Sequence, residues 1–84
     1  MFYVYVLQSI KDNKLYIGFT DNLKRRVHEH NEGKNFSTKS RKPFRLVFYE
    51  ALLNKEEALA REKFYKSGRG HEVLHKILFK TLLR

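Results

Sequence analysis

The segments FYVYVLQS (residues 2–9) and KLYIGF (residues 14–19) decide the fold, because both are rich in aromatic and β-branched residues and a polar turn separates them. Such a pair predicts a β-hairpin. If the turn pairs Ser9 with Lys14, Tyr5 lies opposite Gly18, and the remaining side chains alternate between two faces. One face is aliphatic, and the other carries Tyr3, Tyr5, Leu7 and Tyr16. Two phenols, Tyr5 and Tyr16, are therefore expected close together, with Gly18 leaving space beside the first.

Three helices and one further strand are predicted after the hairpin. The first helix is capped by Thr20 or Asp21, extends to about Asn31 and is ended by Gly33. Residues 44–52 read as the third strand. Asn54 caps a second helix that Gly68 and Gly70 end, and a third helix from about His71 is expected to bury Val73, Leu74, Ile77, Leu78 and Leu82.

Helical periodicity selects particular basic residues of the first helix. Leu23 and Val27 form its buried stripe, and Arg26 and His30 flank that stripe on the same side. Arg25 falls nearly opposite and should face water. The sequence therefore predicts that Arg26, and not its neighbour, points toward the sheet.

The second helix places a carboxylate within an apolar stripe. Glu62 lies three or four residues from each member of that stripe, which consists of Ala58, Leu59 and Tyr65. An unpaired buried charge is expensive, so this glutamate must be ion-paired, protonated or bound to a metal. An ion pair with Arg26 or Lys66 is the ordinary outcome for such a residue.

Charge points to the class of partner. Eighteen Lys and Arg against nine Asp and Glu give a net charge of +9, which attracts polyanions and favours a nucleic acid over a purely solubilising role. A hydroxyl-rich loop over residues 34–43 concentrates part of this charge. Its basic residues, which suit phosphate contacts but also an ordinary solvated loop, are Lys34, Lys39, Arg41 and Lys42.

Other compositional features exclude several classes of protein. The chain has no cysteine, so disulfides and thiolate metal sites are excluded, and a reducing, cytoplasmic location is expected. The N-terminus lacks the basic lead and cleavage site of a signal peptide. No apolar run approaches the ~20 residues that a transmembrane helix requires.

The order and spacing of several short segments within residues 2–66 resemble those of the GIY-YIG nuclease domain. YVY (residues 3–5) stands at the first motif and YIG (residues 16–18) is an intact second motif. DNLKRRVHEH, PFRLV and ALAREK follow at residues 21–30, 43–47 and 58–63. The resemblance is to short bacterial members related to the nuclease domain of the excision-repair incision subunit. Two departures are Tyr3, where the family has glycine, and the lack of a late asparagine in residues 67–84.

The resemblance implies a role for each member of the candidate site. Tyr5 and Tyr16 match the tyrosines that line the family's active site, one of which is implicated in deprotonating the attacking water. Arg26 matches the arginine that steadies the phosphate, and His30 matches a His or Tyr at the site. Glu62 matches the single glutamate that holds a divalent metal, Mg²⁺ or another such as Mn²⁺. The residues alone leave open whether His30 accepts a proton directly or works through Tyr5.

The sequence thus predicts one domain, residues 1–84, of the α/β (α+β) class, in which three helices pack on a three-stranded antiparallel sheet. The implied function is metal-dependent endonucleolytic hydrolysis of DNA, linked to repair or processing. One alternative is a nucleic-acid-binding module of the same fold without turnover. Another is a basic protein-docking domain that uses its third helix in a homodimer. DNA is favoured over RNA, no membrane is expected, and oligomeric state is left open.

Overall fold

The hairpin forms in the predicted register. In a computed structural model that describes residues 1–83, β1 (Phe2–Ser9) and β2 (Leu15–Thr20) pair antiparallel, with Tyr5 directly opposite Gly18. The alternation of apolar residues and the length of the turn together fix this pairing, because a slip of one residue would turn every side chain to the other face.

The remaining elements follow in the predicted order. They are α1 (Leu23–Asn31), a short 3₁₀ turn (Lys39–Arg41), β3 (Phe44–Leu52), α2 (Lys55–Lys66) and α3 (Gly68–Ile77). β3 pairs antiparallel with β1, so β1 is central and β2 is an edge strand. A three-stranded antiparallel sheet packed by three helices is therefore confirmed. Within the described residues, no helix has the length and apolar character needed to cross a bilayer.

The two faces of the sheet bury different cores. The aliphatic face packs against the second and third helices, and its buried residues are Val4, Val6, Ile17, Ala58, Tyr65, Leu74 and Leu78. The opposite face packs against α1, and its core consists of Tyr5, Leu7 and Phe44 with Tyr16, Leu23 and Val27 against them. Both phenols of the hairpin consequently lie between the sheet and the basic helix. Ile77, predicted to be buried, is instead 53% exposed.

Two boundaries near the hairpin differ from the prediction. β2 runs one residue later at both ends, and α1 is capped by Asn22 rather than by Thr20 or Asp21. The Asn22 side chain accepts a hydrogen bond from the Arg25 amide at 3.1 Å. Thr20 remains in the strand, where its hydroxyl accepts from the Asn22 amide at 3.1 Å. Three consecutive residues can each cap a helix, and composition does not rank them.

The two glycines after α2 begin the next helix rather than end the previous one, so the predicted start at His71 is three residues late. Ser67 caps α3, with its hydroxyl accepting from the Gly70 amide at 3.1 Å. A Cβ on Gly70 would overlap the Phe64 carbonyl of α2. Glycine is therefore needed here for the close approach of two helices and not for a helix stop.

The sheet-facing side of α2 also differs from the predicted stripe. Leu59 is 39% exposed, and Arg61 lies between the buried residues Ala58 and Tyr65. Its guanidinium donates to both carboxylate oxygens of Glu50 on β3, each at 2.9 Å. The Tyr65 phenol donates to the same carboxylate at 2.6 Å. A fully partnered ion pair, rather than a leucine, thus joins α2 to the sheet.

Candidate active site

A chain of hydrogen bonds passes through the core between α1 and the sheet. The Tyr5 hydroxyl lies 2.9 Å from His30 Nε2, and His30 Nδ1 lies 2.8 Å from the Thr38 hydroxyl. All three side chains are buried, at 1%, 0% and 0% exposure. They come from β1, from the last turn of α1 and from the loop that follows, so three separate segments meet here.

Tyr16 lies beside this chain on the edge strand. Its ring centroid is 5.0 Å from that of His30 and 6.3 Å from that of Tyr5. Unlike those two side chains, Tyr16 is only half-buried. The predicted pair of neighbouring phenols therefore exists, and one of its members reaches the surface.

Arg26 is aimed at the same group, as its helical position predicts. The neighbouring Tyr5 phenol is the main reason that the pKa of Arg26 is raised. Arg26 also pairs with Glu29 at 3.3 Å. Arg25 faces water, with 57% of its side chain exposed, and pairs with Asp21 at 3.4 Å.

Glu62 lies on α2, which packs against the aliphatic face of the sheet, opposite the face that carries Tyr5 and Tyr16. Its side chain is 19% exposed and pairs with Lys66 at 3.0 Å, so of the two partners considered from the sequence the structure selects Lys66. The negative charge of Glu62 acts on the Tyr5 phenol and contributes to raising its pKa. Residues 1–83 contain no cluster of three His, Asp, Glu or Cys side chains that could enclose a metal.

Burial keeps the central groups uncharged. It raises the pKa of Tyr5 to about 12, a change that Arg26 opposes and that the Tyr16 and Glu62 charges reinforce. Burial and, secondarily, the positive charge of Arg26 lower the pKa of His30, while Glu29 acts in the opposite direction. Arg26 alone would lower the pKa of the Tyr5 phenol, but the effect of burial is larger. At neutral pH the phenol is protonated and the imidazole is neutral.

Gly18 makes room for the Tyr5 ring. A Cβ built at Gly18 would lie 2.8 Å from Tyr5 Cε1 and closer still to the ring carbon and oxygen beyond it. We expect Gly18→Ala to cost about 1–3 kcal/mol of unfolding free energy, because the buried ring has to move. Urea unfolding monitored by circular dichroism measures this loss.

Gly68→Ala is the matched control, since its added methyl group meets no other part of the protein within 4 Å, apart from its own helix backbone and chain neighbours. Its stability should be unchanged or raised by up to ~1 kcal/mol. In a Tyr5→Leu background the cost of Gly18→Ala should largely disappear, because the clashing ring atoms are gone. An equal cost in both backgrounds would contradict the proposed contact.

The basic residues of the loop have different surroundings. Lys34 pairs with Glu32 at 3.1 Å and is 65% exposed, and Lys39 Nζ lies 5.0 Å from the centre of the exposed Phe36 ring. Arg41 is only 26% exposed and pairs with Asp12 of the hairpin turn at 3.1 Å. Arg41 thus holds the loop against the hairpin, whereas the lysines, including the exposed Lys42, have their amines nearer to solvent.

Two surface clefts lie near the candidate site. A cleft of about 680 Å³ lies between α1 and β3, where Tyr3, Leu46 and Tyr49 line it, and none of the five predicted site residues does. Arg26 lines a smaller cleft of about 290 Å³ near the end of β2, together with Phe19. The position of Arg26 beside Tyr5, rather than cleft size, therefore locates the candidate site.

Thr38 is the one member of the hydrogen-bonded chain that sequence reasoning missed. It lies in a loop without apolar periodicity, among serines, lysines and an asparagine that look alike by composition. Its distinguishing property is complete burial against His30, which depends on how the loop folds back over α1. No local pattern in the sequence signals that contact.

Comparison with known proteins agrees with this architecture. Residues 1–72 match the family model described as the GIY-YIG catalytic domain. The chain is 40% identical over 83 residues to a UPF0213 protein of Clostridium perfringens, covering 98% of this chain and 88% of the relative. It is 46% identical over 61 residues to one of Staphylococcus haemolyticus, covering 71% and 73% respectively. The solution structure of a UPF0213 protein of Bacillus halodurans superposes with a TM-score of 0.56 at 41% identity, over 92% of this chain and 85% of that one.

Proposed function

Because the chain belongs to the GIY-YIG family, we propose that it is a metal-dependent endonuclease that hydrolyses phosphodiester bonds in DNA. The observation that carries the proposal is the convergence of the candidate residues on one phenol. Tyr5 is hydrogen-bonded to His30, and Arg26, Tyr16 and Glu62 all influence the pKa of its phenol. Four groups chosen for their chemistry thus lie within interaction range of a fifth, Tyr5.

Phosphodiester hydrolysis adds negative charge around a five-coordinate phosphorus, and positioned cations stabilise that charge. Arg26 is only partly buried, and its planar guanidinium can bind two phosphate oxygens at once. Glu62 would hold Mg²⁺ or Mn²⁺. One carboxylate fits such an ion, because Mg²⁺ takes oxygen ligands and keeps several waters. When bound, the cation polarises the phosphate and stabilises the leaving oxygen.

Tyr16 is the best-placed group to contact the attacking water. Tyr5 and His30 are buried and bonded to each other, so their polar atoms already have partners. Tyr16 is half-buried, and its ring centroid lies 5.0 Å from that of His30. A water entering from solvent can therefore approach Tyr16, whereas Tyr5 is closed off from solvent. In this proposal His30 and Tyr5 support the site from behind rather than receive the proton first.

The excess of positive charge suits a long anionic substrate. The exposed lysines of the loop, Lys34, Lys39 and Lys42, can contact phosphates without reading bases. Such contacts predict low sequence specificity unless a partner supplies it. A role in DNA repair or processing, carried out in the cytoplasm, belongs to this proposal.

A binding module without turnover is the second candidate, and one contact favours it. Glu62 already has a cationic partner in Lys66 at 3.0 Å, and this amine would compete with a metal for the negative charge of the carboxylate. Tyr3 also stands where the family has glycine. Both features would be tolerated by a domain that only binds nucleic acid.

A plasmid assay separates the two candidates. Incubation of the purified chain with supercoiled plasmid and Mg²⁺ should yield nicked circles, stop when EDTA is added, and resume when excess Mg²⁺ or Mn²⁺ is restored. Salt-sensitive retardation of DNA without nicking would instead support the binding module. A chain that neither nicks nor retards DNA at low salt would favour the protein-docking alternative. A parallel assay with single-stranded RNA reports the preference between the two nucleic acids.

A further inference from the structure

The loop over residues 34–43 presents one aromatic side chain almost entirely to solvent. Phe36 is 84% exposed, although a phenylalanine ring is among the side chains that gain most from burial. A single exposed apolar side chain is common on protein surfaces, so exposure alone indicates no function. What distinguishes Phe36 is the turn that carries it and the charge beside its ring.

Hydrogen bonds to Asn35 hold Phe36 at the tip of a tight turn. The Asn35 side-chain oxygen accepts from the Ser37 amide at 3.0 Å and from the Ser37 hydroxyl at 2.7 Å. The Asn35 carbonyl accepts from the amides of Thr38 and Lys39, at 3.1 and 2.9 Å. The backbone on both sides of Phe36 is therefore fixed before any ligand binds, which lowers the entropy cost of binding through this ring.

The turn lies beside the candidate active site. Thr38, two residues after Phe36, is buried, and its hydroxyl lies 2.8 Å from His30 Nδ1. Two residues of chain span at most about 7 Å. Since a nucleic acid strand extends well beyond one phosphate, a strand bound at the half-buried Tyr16, whose ring packs against His30, can reach this turn.

Positive charge surrounds the exposed ring. Lys39 Nζ lies 5.0 Å from the centre of the Phe36 ring, within the range of a cation–π contact. Lys34 and Lys42 of the same loop are exposed as well. A nucleotide offers the complementary pair of features, because its base has a flat aromatic face and its phosphate is anionic. Proteins bind nucleic acid strands by combining such stacking rings with basic side chains.

We propose that the Phe36 ring stacks on a nucleobase of the bound nucleic acid, with Lys39 beside a phosphate of the same strand. The inference rests on the proposed function for the class of its ligand, but it does not require cleavage. Every base has a flat face, so this contact adds affinity without reading the sequence. A lipid surface is less suited, because helices that lie on membranes insert an apolar face of several residues, whereas Phe36 is the only aromatic residue of its loop.

The test uses tryptophan fluorescence, because the chain contains no tryptophan. Phe36→Trp places a single indole at the tip of the turn, and titration with oligothymidylate in EDTA should quench its emission as bases stack on it. Leu53→Trp is the matched control, since Leu53 is also 84% exposed. It follows the distant end of β3, a strand roughly 30 Å long, so its emission should change little. Inorganic polyphosphate, which carries charge but no bases, should quench neither indole.

Affinities of two further variants separate stacking from apolar contact. Phe36→Tyr keeps the flat ring, whereas Phe36→Leu keeps an apolar side chain and removes the ring. We expect Phe36→Leu to bind oligothymidylate about 5–100-fold more weakly than the wild type, which is the effect of losing one stacked base. Phe36→Tyr should stay within about threefold of the wild type, because tyrosine also stacks.

The stacking contact and the nuclease function fail separately. Quenching of Phe36→Trp in a protein that does not nick DNA in Mg²⁺ would support the contact and refute the nuclease function. Nicking without quenching, or equal quenching of Leu53→Trp, would overturn the contact alone, as would equal affinities of the wild type and Phe36→Leu. A blue shift of the Phe36→Trp emission with phosphatidylglycerol vesicles, without quenching by oligothymidylate, would assign the ring to a lipid surface and overturn the proposal.

Discussion

Glu62→Gln is expected to lower the plasmid-nicking rate by about 10³-fold at saturating Mg²⁺. The substitution keeps the shape of the side chain and removes the carboxylate charge that a hard cation requires. Bound metal contributes several kcal/mol to stabilising the charge of the transition state, and about 4 kcal/mol corresponds to three decades in rate. Single-turnover nicking across a range of Mg²⁺ concentrations measures both the rate and the apparent affinity for metal.

The fold should tolerate this change. The partner of Glu62 in the free protein, Lys66, has 54% of its side chain exposed, and such a pair contributes about 0–1 kcal/mol. Thermal unfolding of Glu62→Gln should therefore match that of the wild type closely. A large loss of stability would indicate that Glu62 has a structural role instead.

Glu56→Gln is the matched control for charge. Glu56 is exposed in the first turn of the same helix, and the substitution changes the net charge by the same amount. Its nicking rate should stay within about threefold of the wild type, because the charge lies on a solvated surface where salt screens it. Equal rates for the two variants would contradict the assignment of Glu62 as the metal ligand.

The sequence predicts those parts of the fold that depend on periodicity. Alternation along residues 2–9 and 14–19, with a turn of fixed length, determines the register that brings Tyr5 beside Gly18. The 3.6-residue period separates Arg26 from Arg25 in the same way. These features are local, so the sequence of one hairpin or of one helix is enough to predict them.

Features that depend on how distant segments meet were not predicted. Thr38 is buried because its loop folds back onto α1, and Arg61 replaces Leu59 against the sheet because Glu50 on β3 offers a carboxylate there. The role of Gly70 likewise depends on the approach of a second helix. In each case a tertiary contact outweighs the local pattern, as helix propensity and stripe position are weak guides when a specific partner is present.

Arg26→Ala is expected to reduce the nicking rate by about 10²–10³-fold, the range found when one positioned donor to a developing oxyanion is removed. Only 34% of the side chain is exposed, and its guanidinium already faces the phenol that organises the candidate site. Arg26→Lys keeps the charge but not the planar, two-pronged geometry, so we expect an intermediate rate. Rates at saturating DNA distinguish this effect from weaker binding.

Arg25→Ala controls for the loss of one positive charge from the same helix. Its side chain borders the same cleft as Arg26 but is 57% exposed and pairs with Asp21, so this variant should keep its nicking rate within about threefold of the wild type. Both variants lower the net charge equally, and each should weaken DNA binding only modestly, with a salt dependence reduced by at most about one unit of slope. A difference in rate between the two variants, at equal affinity, must come from where each guanidinium points. If Arg25→Ala lowered the rate as much as Arg26→Ala, general attraction of DNA would explain both losses, and the site described between α1 and the sheet would have no special part in the reaction.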